Sequence, residues 1–123
     1  MIEMNDYEEV ARIAQIYLDG SVSGKSVDMA PAFHADATMF GYEGPELLKG
    51  PIQGLFEWID EMGPSPDTTS QITHIDVSGT VATVRIEIEN LHGDRYTDFF
   101  TALKVDGQWK FVNKGFHIHA KAE

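Results

Sequence analysis

The sequence from Thr69 to His119, TSQITHIDVSGTVATVRIEIENLHGDRYTDFFTALKVDGQWKFVNKGFHIH, decides the fold of this chain. Apolar and polar residues alternate along it, as is typical of strands with one buried face. Short turns interrupt the alternation at Ser78–Gly79, Gly93–Asp94 and Asp106–Gly107. Because such turn residues between alternating segments indicate hairpins, the stretch predicts an antiparallel meander of long strands.

The residues before the meander indicate helices. Asn5 and Glu8 have the spacing of a capping box at the start of a first helix, and apolar side chains follow at helical spacing until Gly20. A short second helix and a short strand come next, and Pro51 stands at the first position of a third helix. We therefore expect an α+β fold in one domain, residues 1–123: a cone-shaped roll with three N-terminal helices packed on a strongly curved, mostly antiparallel sheet.

The composition narrows the classes of function. The chain has no cysteine, which excludes disulfides, thiolate metal sites and cysteine nucleophiles. Its net charge of −11 repels phosphate, so we expect neither nucleic acid nor an anionic membrane as a partner. No apolar run approaches the ~20 residues of a membrane span. The acidic start at Glu3 argues against a secretory signal, and we expect a cytoplasmic protein.

Hairpin pairing assigns the strand residues to two faces of the sheet, since directly opposed residues share a face. We take two-residue turns for the first two hairpins and a three-residue loop, with Gly107 left-handed, for the third. One face is then mostly apolar and forms the core: Ile75, Val77, Ala82, Val84, Ile86, Ile88, Phe99, Leu103, Val105, Trp109 and Phe111. Its polar members lie toward one end: Asn90, Thr97, Thr101, Asn113 and His117. A cup with an apolar floor and a polar rim is typical of small-molecule sites.

The opposite face mixes charged pairs with aromatic side chains, which favours a contact between subunits. We expect a homodimer through Arg85, Glu87, Asp98, Phe100, Val112, Lys114 and Phe116. In this register Asp98 opposes Lys114, and a cross-strand salt bridge explains the pair. If the two faces are reversed, Asp98 and Lys114 lie instead in a deep pocket as catalytic groups.

Several side chains are candidates for chemistry or binding. His34 precedes the first strand at the wide end of the cone, where it would act as a general acid or base, or else donate a hydrogen bond to a backbone carbonyl and fix the corner from Phe33 to Asp36. Tyr17 lies on the buried stripe of the first helix, where its hydroxyl reaches the cavity or simply packs. His117 and His119 have metal-ligand spacing, but two ligands are too few, and we expect no metal or other cofactor. The expected ligand-binding residues are Phe33, Phe40, Phe56, Asn90, Thr97, Phe99, Thr101, Asn113 and His117.

Four segments resemble the nuclear transport factor 2-like superfamily, which has a cystatin-like α+β roll. They are FHADA at 33–37, VSGTVA at 77–82, YTDFF at 96–100 and LKVDGQWKFVNK at 103–114. Within the superfamily the chain is similar to bacterial proteins labelled as lumazine-binding and to polyketide-cyclase-like (SnoaL-like) members. The resemblance implies the fold, but the superfamily includes isomerases, dehydratases, cyclases and non-catalytic carriers, so it does not choose among functions.

Two hypotheses of function follow. The first is a binding protein for a small apolar or aromatic molecule, because the core face as assigned carries no arranged catalytic pair. The second is a cofactor-independent isomerase, dehydratase or cyclase that uses His34 with help from Tyr17, Asn113 or His117. The sequence leaves open whether the protein is an enzyme.

Overall fold

The structure, a computed structural model, describes residues 4–120. Within that range the elements are α1 (Asp6–Ser23), α2 (Ser26–Met29), a 3₁₀ turn (Ala30–Ala32), β1 (Phe33–Glu43), β2 (Glu46–Pro51), α3 (Gln53–Met62), β3 (Thr69–Ser78), β4 (Val81–Leu91), β5 (Asp94–Val105) and β6 (Gln108–Ile118). The strands form one curved sheet in the order β2-β1-β6-β5-β4-β3. All neighbours are antiparallel except β1 and β6, which run parallel. The predicted α+β class and the meander of β3 to β6 are confirmed.

The first helix begins as the sequence predicts and ends later. The Asn5 side chain accepts a hydrogen bond from the Glu8 N–H at 2.8 Å and donates one to the Glu8 carboxylate at 3.0 Å. The helix continues past Gly20 and ends at Ser23, with Gly24 left-handed at φ 70°. Gly20 has a packing role, because a Cβ atom there would lie 2.6 Å from the Met29 Cβ. The glycine lets α1 approach α2 closely.

The third helix also begins later than the sequence predicts. Pro51 ends β2, the edge strand of the sheet, and α3 starts at Gln53. An edge strand tolerates proline, which has no N–H to contribute to a ladder of hydrogen bonds. The β1–β2 hairpin that results extends the sheet beyond the predicted meander. None of the described helices has the length and apolarity needed to span a membrane.

The core lies between the helices and the inner face of the sheet. Buried side chains of α1, among them Val10, Ile13 and Tyr17, meet buried side chains of β4, among them Val84 and Ile86. These β4 positions agree with the predicted inner face. The strands that follow β4 differ from the prediction at two points.

A bulge in the second hairpin reverses the predicted faces of β5. Leu91 pairs with Asp94 across a His92–Gly93 turn, one residue earlier than the predicted Gly93–Asp94 turn, and Asn90 bulges out of the ladder with φ 59°. Asparagine adopts this left-handed conformation more readily than most residues, and one extra residue exchanges the two faces of the strand. The predicted inner position of Phe99 is therefore wrong: its side chain is 52% exposed, whereas Asp98 and Phe100 are buried. Leu103, Val105 and Thr101 also leave the inner face, and Tyr96 and Ala102 occupy it.

The last hairpin and strand contain the second difference. The turn is a two-residue loop, with Asp106 and Gly107 both left-handed, and not the predicted three-residue loop. Trp109 and Phe111 are buried as predicted. Val112 is then an extra residue, because Phe111 pairs with Ala102 whereas Asn113 pairs with Thr101. After this bulge Lys114 is buried and Asn113 is not, so the predicted placement of these two residues is wrong.

The predicted dimer face is corrected accordingly. Asp98, Phe100 and Lys114 are buried inside the protomer, and Phe116 packs against its core. Val112 lies half-buried at the bulge. Arg85 and Glu87 remain on the outer face of the sheet, where Phe99 joins them: the Arg85 guanidinium lies 5.4 Å from the centre of the Phe99 ring.

Candidate functional site

A cavity of roughly 1200 Å³ opens between α3, the β1–β2 hairpin and the ends of β5 and β6. Large apolar side chains form much of its wall, including Met39, Trp58, Tyr96 and Phe116. Tyr17 and Lys114 also line it, although they are 1% and 5% exposed. A largely apolar cavity with a few polar groups is the usual form of a small-molecule site.

Tyr17 and Asp98 form the buried polar contact beside this cavity. The Tyr17 hydroxyl of α1 donates a hydrogen bond to Oδ2 of Asp98 on β5 at 2.5 Å. Phe33 and Phe100 pack edge-on against the Tyr17 ring and hold it in place. The other carboxylate oxygen, Oδ1 of Asp98, is buried and has no hydrogen-bond partner among the described residues. Such an atom is costly to bury when it is charged.

Lys114 is a buried amine that lies within the field of Asp98 but makes no salt bridge to it or to another described residue. Its Nζ atom forms neither a hydrogen bond nor a salt bridge with any residue in the described part of the chain. It lies 5.7 Å from the centre of the Tyr17 ring and 4.9 Å from that of Phe116. Aromatic faces attract a cation, but they accept no proton. The amine is therefore free to meet a molecule in the cavity.

Burial shifts the pKa values of these three groups toward their uncharged forms. Burial raises the pKa of Asp98, and the charge of Lys114 and the hydrogen bond from Tyr17 oppose that rise. Burial lowers the pKa of Lys114, and the charge of Asp98 opposes the fall. Burial, followed by the nearby charge of Asp98, raises the pKa of the Tyr17 hydroxyl. An acid and a base whose pKa values approach each other exchange protons at little cost, which is how acid–base sites are built.

Carboxylates and histidines also line the cavity. Together with one further lysine they are Glu43, Glu46, Lys49, Glu57, His92, Asp94, His117 and His119. Burial, with the charges of Asp94, Asp98 and Glu43, raises the pKa of Tyr96 to about 12, so its hydroxyl stays protonated at neutral pH. The edge of the His92 ring meets Trp58 at 5.7 Å between ring centres. In the described residues no group of three His, Asp or Glu side chains is arranged to hold a metal ion.

Of the two predicted catalytic residues, the structure brings one to the cavity. Tyr17 lines it, whereas His34 lies at the start of β1 and is not among its lining residues. The His34 Nδ1 accepts a hydrogen bond from the Asp36 N–H at 3.0 Å, and about a third of the side chain is exposed. His34 thus bonds within the corner from Phe33 to Asp36, as its alternative role predicts, but it accepts from a backbone N–H and does not donate to a carbonyl as predicted.

The predicted ligand-binding residues separate into three groups. His117 alone lines the cavity, at its mouth. Phe33 and Phe56 pack on each other beside the core, with ring centres 5.7 Å apart. The remaining residues lie elsewhere: Phe40 and Phe99 are exposed, Asn90 is in the bulge, Thr101 is half-buried, Thr97 bonds to Glu87, and Asn113 bonds to Thr38.

Several residues that line the cavity had no predicted role in the site, among them Met39 and Tyr96. Trp58 lies off the buried stripe of α3, which makes it a candidate for the aromatic wall, a lid or a contact, and it lines the cavity. Tyr96 was placed on the outer face by the same register error that moved Asp98. The sequence did not indicate that Met39 faces the cavity, because apolar and polar residues do not alternate regularly along β1.

Comparison with known proteins agrees with this architecture. The chain is 33% identical over 124 residues to the aldolase FrzH of Cladobotryum sp., covering 98% of this chain and 97% of that protein. It is 42% identical to an NTF2-like protein of unknown function from Methylobacillus flagellatus KT, whose crystal structure superposes with a TM-score of 0.92 over 97% of this chain and 96% of that one. An NTF2-like protein of unknown function from Shewanella baltica OS155 is 39% identical, with a TM-score of 0.91 over 97% of this chain and 100% of that one.

Residues 5–117 match the model of the family described as "Putative lumazine-binding". The match spans most of the described chain, and the NTF2-like structures share its whole fold. The predicted resemblance is therefore confirmed: the chain belongs to this lumazine-binding-like family, within the nuclear transport factor 2-like superfamily.

Proposed function

We propose that this protein binds a small aldehyde or ketone in its cavity and moves a proton at the carbon beside the carbonyl group. The observation that carries the proposal is the position of Lys114: a buried amine with no salt bridge or hydrogen bond to another described residue lines the cavity beside the Tyr17–Asp98 hydrogen bond. Removal of a proton beside a carbonyl group is a step shared by many isomerases, dehydratases, cyclases and aldolases that act on carbonyl compounds.

Each of the three groups has a role in the reaction. With Lys114 and Asp98 both uncharged, the amine takes a proton from the carbon next to the carbonyl and becomes an ammonium. When the carbonyl compound binds, the Tyr17 hydroxyl turns its proton from Asp98 to the carbonyl oxygen, and the protonated Asp98 then donates to the Tyr17 oxygen, which reverses the bond seen in the structure. The bond from Tyr17 to the carbonyl oxygen stabilises the negative charge that develops on that oxygen in the enolate. In a β,γ-unsaturated carbonyl compound, return of the proton to the γ carbon moves the double bond and completes an isomerisation. Attack of the enolate on a second carbonyl carbon makes an aldol bond.

The comparisons support the class of chemistry. The relative from Cladobotryum that is 33% identical is named an aldolase, and an aldol reaction requires the proton transfer proposed for Lys114. The binding-only hypothesis rested on the absence of an acid–base pair from the inner face of the sheet. The inner face of the described sheet carries such a pair, Asp98 and Lys114, so that reason no longer holds. In this proposal Lys114 takes the general acid/base role that was predicted for His34.

Exchange of hydrogen for deuterium tests the proposal without knowledge of the natural substrate. Benzylacetone is a suitable probe, because it joins a ketone to an aromatic ring that suits the apolar wall. In deuterium oxide, the protein should speed the loss of the ¹H NMR signals from the carbons beside the carbonyl relative to buffer alone. The variants Lys114→Met and Asp98→Asn should each slow this exchange by about 100-fold.

A lysine on the same strand supplies the control. Lys110 bonds to the Pro31 carbonyl at 2.6 Å, outside the cavity, so Lys110→Met should exchange benzylacetone at the wild-type rate. Chemical shift changes on addition of benzylacetone separate binding from catalysis. A protein that binds benzylacetone but exchanges its protons no faster than buffer would be a carrier, and the proposed enzymatic function would be wrong.

A further inference from the structure

Two histidines at the end of β6 lie at the mouth of the cavity, and the proposed proton transfer uses neither. His117 and His119 both line the mouth, and their rings meet edge to face at 4.7 Å between centres. The backbone N–H of His119 donates to the Arg95 carbonyl at 2.9 Å, which fixes the chain just beyond the end of the strand. The His119 ring contacts a row of polar side chains that crosses β5 to β4.

The far end of this row is an ionised carboxylate. Arg85 and Arg95 contact the two oxygens of Glu87 at 2.9 and 3.2 Å. The Thr97 hydroxyl donates a hydrogen bond to Oε2 of Glu87 at 2.7 Å, and this bond is the largest cause of the lowered pKa of Glu87. A carboxylate without a proton only accepts hydrogen bonds, so the direction of the Thr97–Glu87 bond is fixed.

The direction of the next bond follows from the first. Oγ1 of Thr97 lies 2.8 Å from Nε2 of His119. A hydroxyl has one proton. Since the Thr97 hydroxyl uses that proton in its hydrogen bond to Glu87, the Thr97 oxygen can only accept a hydrogen bond from His119. The His119 proton is therefore on Nε2. In the neutral ring the other nitrogen, Nδ1, is then an acceptor, and it has no hydrogen-bond partner among the residues that the structure describes.

We infer that the relay Glu87–Thr97–His119 fixes the tautomer of His119 so that Nδ1 accepts a hydrogen bond from a hydroxyl or N–H group of the ligand at the cavity mouth. The inference rests on the proposed function and narrows its substrate. The substrate is a carbonyl compound whose carbonyl end meets Lys114 and whose other end carries a hydrogen-bond donor. Thr97 and Glu87 are positioning residues, since they act through His119.

The relay itself is tested by NMR of ¹⁵N-labelled protein, without any ligand. Long-range ¹H–¹⁵N correlations distinguish the protonated ring nitrogen from the bare one, and neutral His119 should carry its proton on Nε2. Thr97→Val removes the hydroxyl at nearly constant shape and should give a mixture of tautomers, whereas Thr97→Ser should restore the single tautomer. A wild-type His119 with its proton on Nδ1 would overturn the inference.

A matched pair of ketones tests the ligand class. Calorimetric titration should show that para-hydroxybenzylacetone binds the wild-type protein about fivefold more tightly than benzylacetone, the effect of one added hydrogen bond. His119→Phe and Thr97→Val should remove this preference, and Thr97→Ser should keep it. Equal affinities for the wild-type protein would overturn the inference and leave the ketone site intact. Binding of neither ketone would contradict the proposed function and, with it, this inference.

Discussion

The hydroxyl of Tyr17 and the carboxylate of Asp98 are 81 residues apart in the chain and 2.5 Å apart in the structure, and both side chains are 1% exposed. The bond joins the first helix to the centre of the sheet at the edge of the cavity. It leaves one carboxylate oxygen of Asp98 without a partner among the described residues. Buried polar atoms without a hydrogen-bond partner are uncommon in stable cores and more frequent at functional sites.

Removal of the Tyr17 hydroxyl should weaken the fold. Tyr17→Phe leaves both oxygens of Asp98 without a partner, and we expect a loss of about 1–3 kcal/mol in the free energy of unfolding at neutral pH. Urea denaturation followed by circular dichroism measures this loss. Tyr7→Phe, on the exposed side of the same helix, is the matched control and should change stability little. Equal stability of the two variants would contradict the role given to the buried bond.

Asp98 should make the fold less stable as the pH rises. Burial raises the folded pKa of Asp98 above its unfolded value of about 3.9, so the folded state holds the proton more tightly. The stability that this group contributes is complete below the unfolded pKa and is lost as the pH rises through the folded pKa. The Asp98→Asn side chain does not titrate. Over that pH range the free energy of unfolding of Asp98→Asn should therefore rise relative to that of the wild type, by about 1.4 kcal/mol per unit of separation between the two pKa values. Denaturation curves at a series of pH values check this, and a gap that closes with rising pH would contradict it.

Gly20 should resist a substitution that most helices accept. Alanine usually stabilises a helix relative to glycine by about 0.5–1 kcal/mol. At Gly20 the added carbon would lie 2.6 Å from the Met29 Cβ, so Gly20→Ala should instead destabilise the fold by about 1–3 kcal/mol. Gly54→Ala in α3, where the nearest atom would be 4.0 Å away, is the control and should be neutral or stabilising. Thermal melts of the two variants give the comparison.

We propose that a second copy of this chain packs on the outer face of the sheet. Arg85 and Glu87 were expected on that face and lie there, and Phe99 adds an aromatic ring that is 52% exposed. A shallow depression of roughly 660 Å³ beside them is lined by Thr73, His74, Thr83, Val84, Arg85, Glu87 and Phe99. The wild type should be dimeric in native mass spectrometry and Phe99→Glu monomeric. A wild type that stays monomeric at high concentration would exclude the proposal.

The sequence predicted the fold well because the alternation in β4 is strict. Val84, Ile86 and Ile88 are buried while their neighbours are not, and that pattern admits one orientation of the strand. β5 lacks this asymmetry, since Phe99 and Phe100 place equal aromatic bulk on its two faces. The orientation then depended on a single bulge at Asn90, and no pattern in the sequence marks that residue as unpaired.

The candidate site was misplaced for a related reason. Charged side chains are rarely buried, so a register that puts Asp98 and Lys114 in solvent is the cheaper arrangement in free energy. The protein buries both side chains nonetheless. The rule that charged side chains face solvent fails here at the residues that the proposed function uses. Tyr17 was found because its helical periodicity is unambiguous, whereas the role of Lys114 depended on the bulge at Val112.

The charge state of Lys114 tests the central claim most directly. Burial lowers the pKa of Lys114, whereas the lysines on the surface are solvated. NMR titration of protein labelled with ¹³C at lysine Cε, with the Lys114 signal assigned by its absence from Lys114→Met, follows each amine separately. Lys114 should lose its proton at a lower pH than every other lysine, so that the neutral amine is available to the ligand. Titration of Lys114 together with the surface lysines would contradict the account.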